Sequence, residues 1–239
     1  MAKLPDWVRK EATGRLIFCR VYPETLRPFL AKPGQRELKV PLGAKHVPSV
    51  EAYRVYDAAK RRYDLDVKQA RALQSVEEKQ VAGLVDRLEP ELIAHLVGDW
   101  KESQLTVDDE ARWTPRTRER KLQPRTALRE IVTHDLEEAK ELKALGDTES
   151  ILDIWGWAAI EHAGLHGLNV DVETPGFMPY LCAFHDTQIE VWEAILRRTD
   201  GEAVPTPTAP PRPAPGPSRP AARTVAALIE AYRAAKWDG

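Results

Sequence analysis

Residues 14–44 read GRLIFCRVYPETLRPFLAKPGQRELKVPLGA, and this stretch decides the fold of the first part of the chain. Arg15 to Val21 is rich in β-branched and aromatic residues and lies between Gly14 and Pro23, which predicts a strand. Leu26 to Leu30 reads as a short turn or helical piece, and Lys32-Pro33-Gly34 as a turn. Arg36 to Val40 alternates polar and apolar residues as a half-buried strand does, with Pro41, Leu42 and Gly43 ending it. On the first strand Leu16 and Arg20 share one face, and Arg15 and Cys19 share the other. The arginines therefore cannot all point one way without a bulge.

From Ser49 to Thr199 the period becomes helical. Ser49 can cap a helix carrying Ala52, Tyr53, Tyr56, Ala59 and Tyr63 on one side. Ser75-x-x-Glu78 reads as a capping box ahead of Val81, Leu84, Val85 and Leu88. Pro90 suits the first position of the next helix, with Leu92, Ile93, Leu96 and Val97 apolar. A stripe from Leu128 to Leu142 stops at Gly146, and Asp147 or Thr148 then caps a helix with Ile151, Ile154, Trp155 and Ala158 in line. Gly164 and Gly167 break that helix, and Asp186 to Arg198 forms the last, with Ile189, Trp192, Ile195 and Leu196 inward. Trp155, Trp157 and Trp192 read as core anchors.

Residues 201–220 hold eight prolines and no aromatic residue, which predicts an extended, semi-rigid spacer. Beyond it, TVAALIEAYRAAKW is amphipathic at helical spacing, yet one helix cannot fold alone. The expected fold class is mainly α with a small N-terminal β element, as a helical bundle followed by a proline-rich linker and one orphan helix. The expected divisions are 1–48, a β-rich module; 49–200, a helical domain; 201–220, the linker; and 221–239, the start of a second helical domain.

Composition narrows the function classes. Of 239 residues, 43% are hydrophobic and 30% charged, which is ordinary soluble usage. No apolar run approaches the length of a membrane span, and MAKLPDWVRKEATGR has no apolar core of a secretory signal. Cys19 and Cys182 stand far apart, which excludes a disulfide framework and a zinc ribbon. A cytoplasmic location without membrane contact follows as the expectation. Charge is uneven. Residues 1–70 hold 15 Lys and Arg against 8 acids, whereas residues 71–200 hold 15 against 26. A basic first quarter on an acidic body suits a polyanionic partner, or is simply a solvated basic face.

Phe18, Arg20, Val21, Pro23, Leu26, Arg27, Pro28, Gly34, Arg36, Glu37, Leu42 and Gly43 give the first segment a pattern that resembles the N-terminal segment of phage-type integrases, the tyrosine recombinases. Tyr22 is inserted relative to the commoner Val-Pro pairing. The tail helix, TVAALIEAYRAAKWDG, is similar to the first helix of that family's core-binding domain. The two matches cover about 50 residues, in the family's order and separated by a linker. The resemblance implies a sheet module that binds double-stranded DNA or docks other integrase protomers or an intact integrase. It also implies a chain that lacks the family's catalytic arginine, lysine, His-x-x-Arg pair and tyrosine nucleophile. The chain is then expected not to be an enzyme by itself, and to be the N-terminal portion of a truncated, split or frameshifted integrase.

If the sheet binds DNA, Arg15, Arg20, Arg27, Arg36, Lys39 and Lys45 are the candidates for neutralising phosphates and reaching base edges. The alternative is an edge sheet with solvated arginines, in a stand-alone helical interaction or regulatory protein that does not bind DNA. A second basic run, Arg112 to Arg129, carries seven Lys and Arg and one acid. It reads either as a phosphate-tracking loop or as a loop salt-bridged to the acidic helices. His162 and His166 stand at i, i+4, with His185 and Asp186 as further donors for a metal, but the Glu that metalloproteases place after the first His is absent. Satisfied histidines at a helix end are the simpler reading. Glu137-Glu138 and Asp108-Asp109-Glu110 read as exposed helix charges. No phosphate-binding loop, dinucleotide fingerprint or nucleophile elbow is present, so no cofactor is expected.

Overall fold

The computed structural model describes residues 5–45, 49–113, 125–214 and 219–220, without the side chains of Lys45, residues 125–128 and residues 219–220. The helix expected at 221–239 lies outside the described residues. The chain is mainly helical with a small N-terminal three-stranded antiparallel sheet. It divides into two compact units, residues 1–81 with 164–168, and residues 82–163 with 169–239.

In the first unit β1 (Val8–Lys10), β2 (Arg15–Val21) and β3 (Glu37–Lys45) pair in that order. A 3₁₀ turn over Glu24–Phe29 connects β2 to the turn before β3. α1 (Val50–Val81) then crosses one face of the sheet. Leu16, Phe18, Leu38 and Leu42 from the sheet meet Ala52, Ala59, Tyr63 and Ala70 of α1 in one core. Leu26 and Leu30 close its end. A three-stranded sheet needs such a cover to be stable, because its backbone pairing alone is marginal in water.

Two details depart from the sequence pattern. β3 does not stop at Pro41 but runs on to Lys45. It is an edge strand, where proline's missing N–H costs no ladder bond, and the register with β2 shifts between Arg15 and Ile17. Gly43 near that shift has φ +68°, a conformation that favours glycine. Second, α1 continues through Ser75 instead of restarting there. Ser49 does cap α1, accepting the N–H of Ala52 at 3.1 Å. Near Ser75, by contrast, no glycine or proline interrupts the run of good helix formers.

The second unit holds α2 (Pro90–Trp113), α3 (Arg125–Leu145), α5 (Phe177–Thr199) and all but the last two residues of α4 (Thr148–Leu165). α2 and α3 both pack on α5. Asp147 caps α4, taking the Ser150 N–H at 3.0 Å and the Ser150 hydroxyl at 2.7 Å. α4 meets α5 through aromatic contacts, Trp155 with Trp192 at 5.7 Å and with Phe184 at 6.2 Å between ring centroids. Trp157 is 74% exposed and Ile154 is also exposed, contrary to the anchoring expected of them. Residues two apart on a helix lie nearly opposite, so Trp155 and Trp157 cannot both point inward.

The proline-rich stretch, expected as a spacer, is held along α2. Arg198 is the clasp. Its guanidinium donates to the carbonyls of Val204 and Leu105, each at 2.9 Å, and to the Thr206 hydroxyl at 2.8 Å. It also pairs with Asp108 at 3.1 Å and Asp109 at 3.2 Å. Val204 packs with Leu105, Val191 and Ala194. Farther along, the Ala209 N–H reaches Glu102 at 2.8 Å, and the Pro210 carbonyl lies 2.6 Å from a His95 ring nitrogen. The Pro210 ring sits so close to Gly98 that a Cβ there would stand 2.4 Å from it. Beyond, β4 (Leu84–Val85) pairs with β5 (Arg219–Pro220). Asp108, read from sequence as an exposed helix charge, instead has a side chain only 12% exposed, because Arg198 and Arg112 both need it.

Arg198→Ala leaves Asp108 with Arg112 as its partner but removes the donor that holds Val204 and Thr206, and is expected to cost about 1–3 kcal/mol. Urea unfolding followed by tryptophan fluorescence will read this. His185 is almost fully buried on α5, and burial holds its pKa below the usual value, with Lys143 acting in the same sense and Asp186 opposing. The unfolded chain therefore binds the proton more readily. His185's contribution is complete above about pH 6.5 and falls away as the pH drops below it. Stability measured across that range should decline on the acid side, and His185→Phe should flatten this part of the decline.

Candidate nucleic-acid interface

Because side chains alternate along a strand, covering one sheet face with α1 turns alternate side chains to the face that α1 does not cover. Val8, Leu16 and Phe18 point toward α1, and the register places Arg9, Ile17, Cys19, Lys39 and Pro41 on the opposite face. Arg9, Arg15 and Lys39 are exposed. Glu37 lies on the same face, 2.6 Å from the Lys39 ammonium, and accepts a hydrogen bond from the buried Cys19 thiol at 3.0 Å. The Cys19 and Lys39 contacts pull the Glu37 carboxyl below the usual range, and Glu37 in turn raises Lys39. Burial, reinforced by Glu37, pushes the Cys19 thiol up, so it is a packed group and not a reactive thiolate.

The six sequence candidates separate. Arg15 and Lys39 share the open face. Arg20 lies on the α1 side, as parity requires. Its guanidinium sits 4.2 Å from the Trp7 ring centre and 3.9 Å from that of Tyr63, and Nη1 binds Asp64 at 2.9 Å. Tyr63 is stacked in turn on Tyr22 at 4.8 Å, giving a column Trp7, Arg20, Tyr63, Tyr22. Trp7 adopts φ +61°, a strained value for a non-glycine residue, while its carbonyl accepts the Cys19 N–H at 2.8 Å. Arg27 is turned back onto the Tyr22 carbonyl at 3.3 and 3.4 Å. Arg36 is exposed at the start of β3, where its carbonyl accepts the Tyr22 N–H. The Lys45 side chain lies outside the described residues.

Tyr22 is a structural post. It is 1% exposed, and its hydroxyl donates to Asp66 at 2.5 Å, with burial and Asp66 both holding the phenol protonated. Arg9 and Trp7 were not singled out from the sequence. The two-residue period of β1 would have placed Arg9, but β1 is only three residues long and gives a weak signal.

The other sequence candidates belong to the second unit, to the 164–168 stretch or to residues outside those described. Arg112 binds Asp108 at 2.8 Å and the Thr199 hydroxyl at 3.1 Å, and Arg129 pairs with Asp200. These two ends of the second basic run act structurally, and residues 114–124 lie outside the described residues. His162 of α4 has a ring nitrogen 3.0 Å from the Tyr180 hydroxyl and the other 3.5 Å from Asp99. His166 falls in the 164–168 stretch of the first unit, and His185 stands beside Asp186 at 4.0 Å. Among the described residues His185 joins no cluster of three possible metal ligands. No helix among them is long and apolar enough to cross a membrane.

No protein-family model, characterised protein or solved structure matches the chain.

Since Arg20 is fixed between two rings and a carboxylate, its first role is structural. Arg20→Ala is expected to destabilise the first unit by about 1–2 kcal/mol, from the loss of two cation–π contacts and a partly exposed ion pair. Urea unfolding of the variant, read by far-ultraviolet circular dichroism, checks this.

Proposed function

We infer that the chain docks double-stranded DNA through the open face of its N-terminal sheet, as the N-terminal DNA-binding or docking portion of a tyrosine recombinase without catalytic competence of its own. The observation that carries this reading is the segregation of Arg9, Arg15 and Lys39 onto the sheet face that α1 does not cover. A small sheet fits the major groove, and cations on that face meet phosphates while shorter side chains approach base edges. The integrase-like pattern of residues 18–43 supports the same reading. Other integrase protomers, or an intact integrase, are the protein partners this reading implies. A second reading, protein interaction through the helical unit, is favoured by the exposed Trp157 and by a groove lined by Leu142, Ile154, Trp155 and Trp192.

The test is fluorescence anisotropy of a labelled 30-base-pair duplex across a salt series. Each neutralised phosphate adds about −0.9 to the slope of log K against log salt. Arg9→Ala with Arg15→Ala should make the slope shallower by about 1.8. Arg27→Ala should leave it unchanged, since Arg27 is bound to the Tyr22 carbonyl. Absence of binding at low salt would rule out DNA docking and leave the protein-interaction reading.

A further inference from the structure

On the α1 side of the first unit, away from the open sheet face, a cleft of about 460 Å³ lies between the end of β2 and the middle of α1. Among its described lining residues the cations are Arg20, Lys68 and Arg71, and the one carboxylate is Asp64. Pro23 and Val67 supply apolar wall. We propose that this cleft is a phosphate-binding site.

Three observations carry the proposal. First, the charge is unbalanced. Asp64 is engaged by Arg20, whereas Lys68 and Arg71, both exposed, make no ion pair among the described residues. Three residues apart on α1, they project to the same side of the helix. Second, Arg20 is held in place before any ligand arrives. The Trp7 and Tyr63 rings lie against its guanidinium, and Asp64 binds Nη1. Such a planar donor loses little freedom on binding, and its fork matches phosphate oxygens. Third, the one ring among the described lining residues, Tyr63, is already engaged. The stacked Tyr22 ring and the Arg20 guanidinium hold it, and its hydroxyl donates to the Val21 carbonyl at 2.8 Å. The ligand is therefore recognised by its oxyanion and not by a ring.

A phosphate can reach this cleft as a phosphodiester of a DNA strand or as a free phosphate. The first source rests on the DNA reading above, and the second does not. The experiment uses the full chain and two double variants. One is Lys68→Ala with Arg71→Ala. The other is Lys60→Ala with Arg61→Ala, which removes two exposed cations of α1 outside the cleft. Calorimetric titration with sodium pyrophosphate at fixed ionic strength is followed by the duplex salt series. The cleft variant is expected to bind pyrophosphate at least tenfold more weakly, with the control within twofold of the unaltered protein.

If the cleft variant also makes the duplex slope shallower by about 1.8, the phosphate is that of DNA. If pyrophosphate binding falls and the duplex slope stays, the ligand is a free phosphate. Two results overturn the proposal. In one, the unaltered protein does not bind pyrophosphate and the cleft variant does not change the duplex slope. In the other, both double variants weaken binding equally, which means general charge and no site. The cleft variant leaves Arg15 and Lys39 in place, so failure here is separable from failure of the open face to bind DNA.

Discussion

Burial of one face of a three-stranded sheet under α1 is the constraint on which the first unit depends. β1 spans three residues and the whole sheet only three strands, too little to stand alone in water. Leu16, Phe18, Leu38 and Leu42 must therefore face α1, and strand parity then decides every other position. Arg20 goes to the covered side and is accommodated by stacking between Trp7 and Tyr63. Arg15 and Lys39 go to the open side. The separation of a structural arginine from the exposed Arg15 and the Glu37-paired Lys39 follows from this one packing event.

The same event makes two basic surfaces out of one basic segment. The open face presents Arg9, Arg15 and Lys39 across the sheet. The α1 side gathers Arg20, Lys68 and Arg71 around a concave space. A concave cationic site with a fixed guanidinium favours a compact oxyanion, whereas a flat face suits an extended duplex. The two surfaces therefore differ in the shape of anion they suit.

In the second unit a single buried cation organises the proline-rich stretch. A guanidinium needs several acceptors when it leaves water. Arg198 finds them in the Leu105 carbonyl and the Asp108 and Asp109 carboxylates of α2, and in the Val204 carbonyl and Thr206 hydroxyl beyond α5. Proline-rich chain has few N–H donors of its own, so its carbonyls are the natural acceptors. Gly98 lets the Pro210 ring approach α2. The stretch is extended as its composition requires, but it lies along α2 as a strap through at least Pro210.

Much of the fold was legible in the sequence through periodicity and caps. Period 2 in Arg15–Val21, period 3.6 after Ser49, the Ser49 and Asp147 caps and the stop at Gly146 are local signals, and local backbone energetics enforces them. Strand parity alone likewise separates Arg15 from Arg20. Tertiary packing decided the rest. It set whether β3 ends at Pro41, since only an edge position tolerates that proline, and whether Trp155 or Trp157 turns inward. It also determined that α1 belongs with the sheet and that the proline-rich stretch is clasped by Arg198. The cleft depended on it as well, because Arg20 meets Lys68 and Arg71 only once β2 and α1 pack. Residues far apart in the chain acquire a common electrostatic role through packing, and no local pattern in the sequence encodes that proximity.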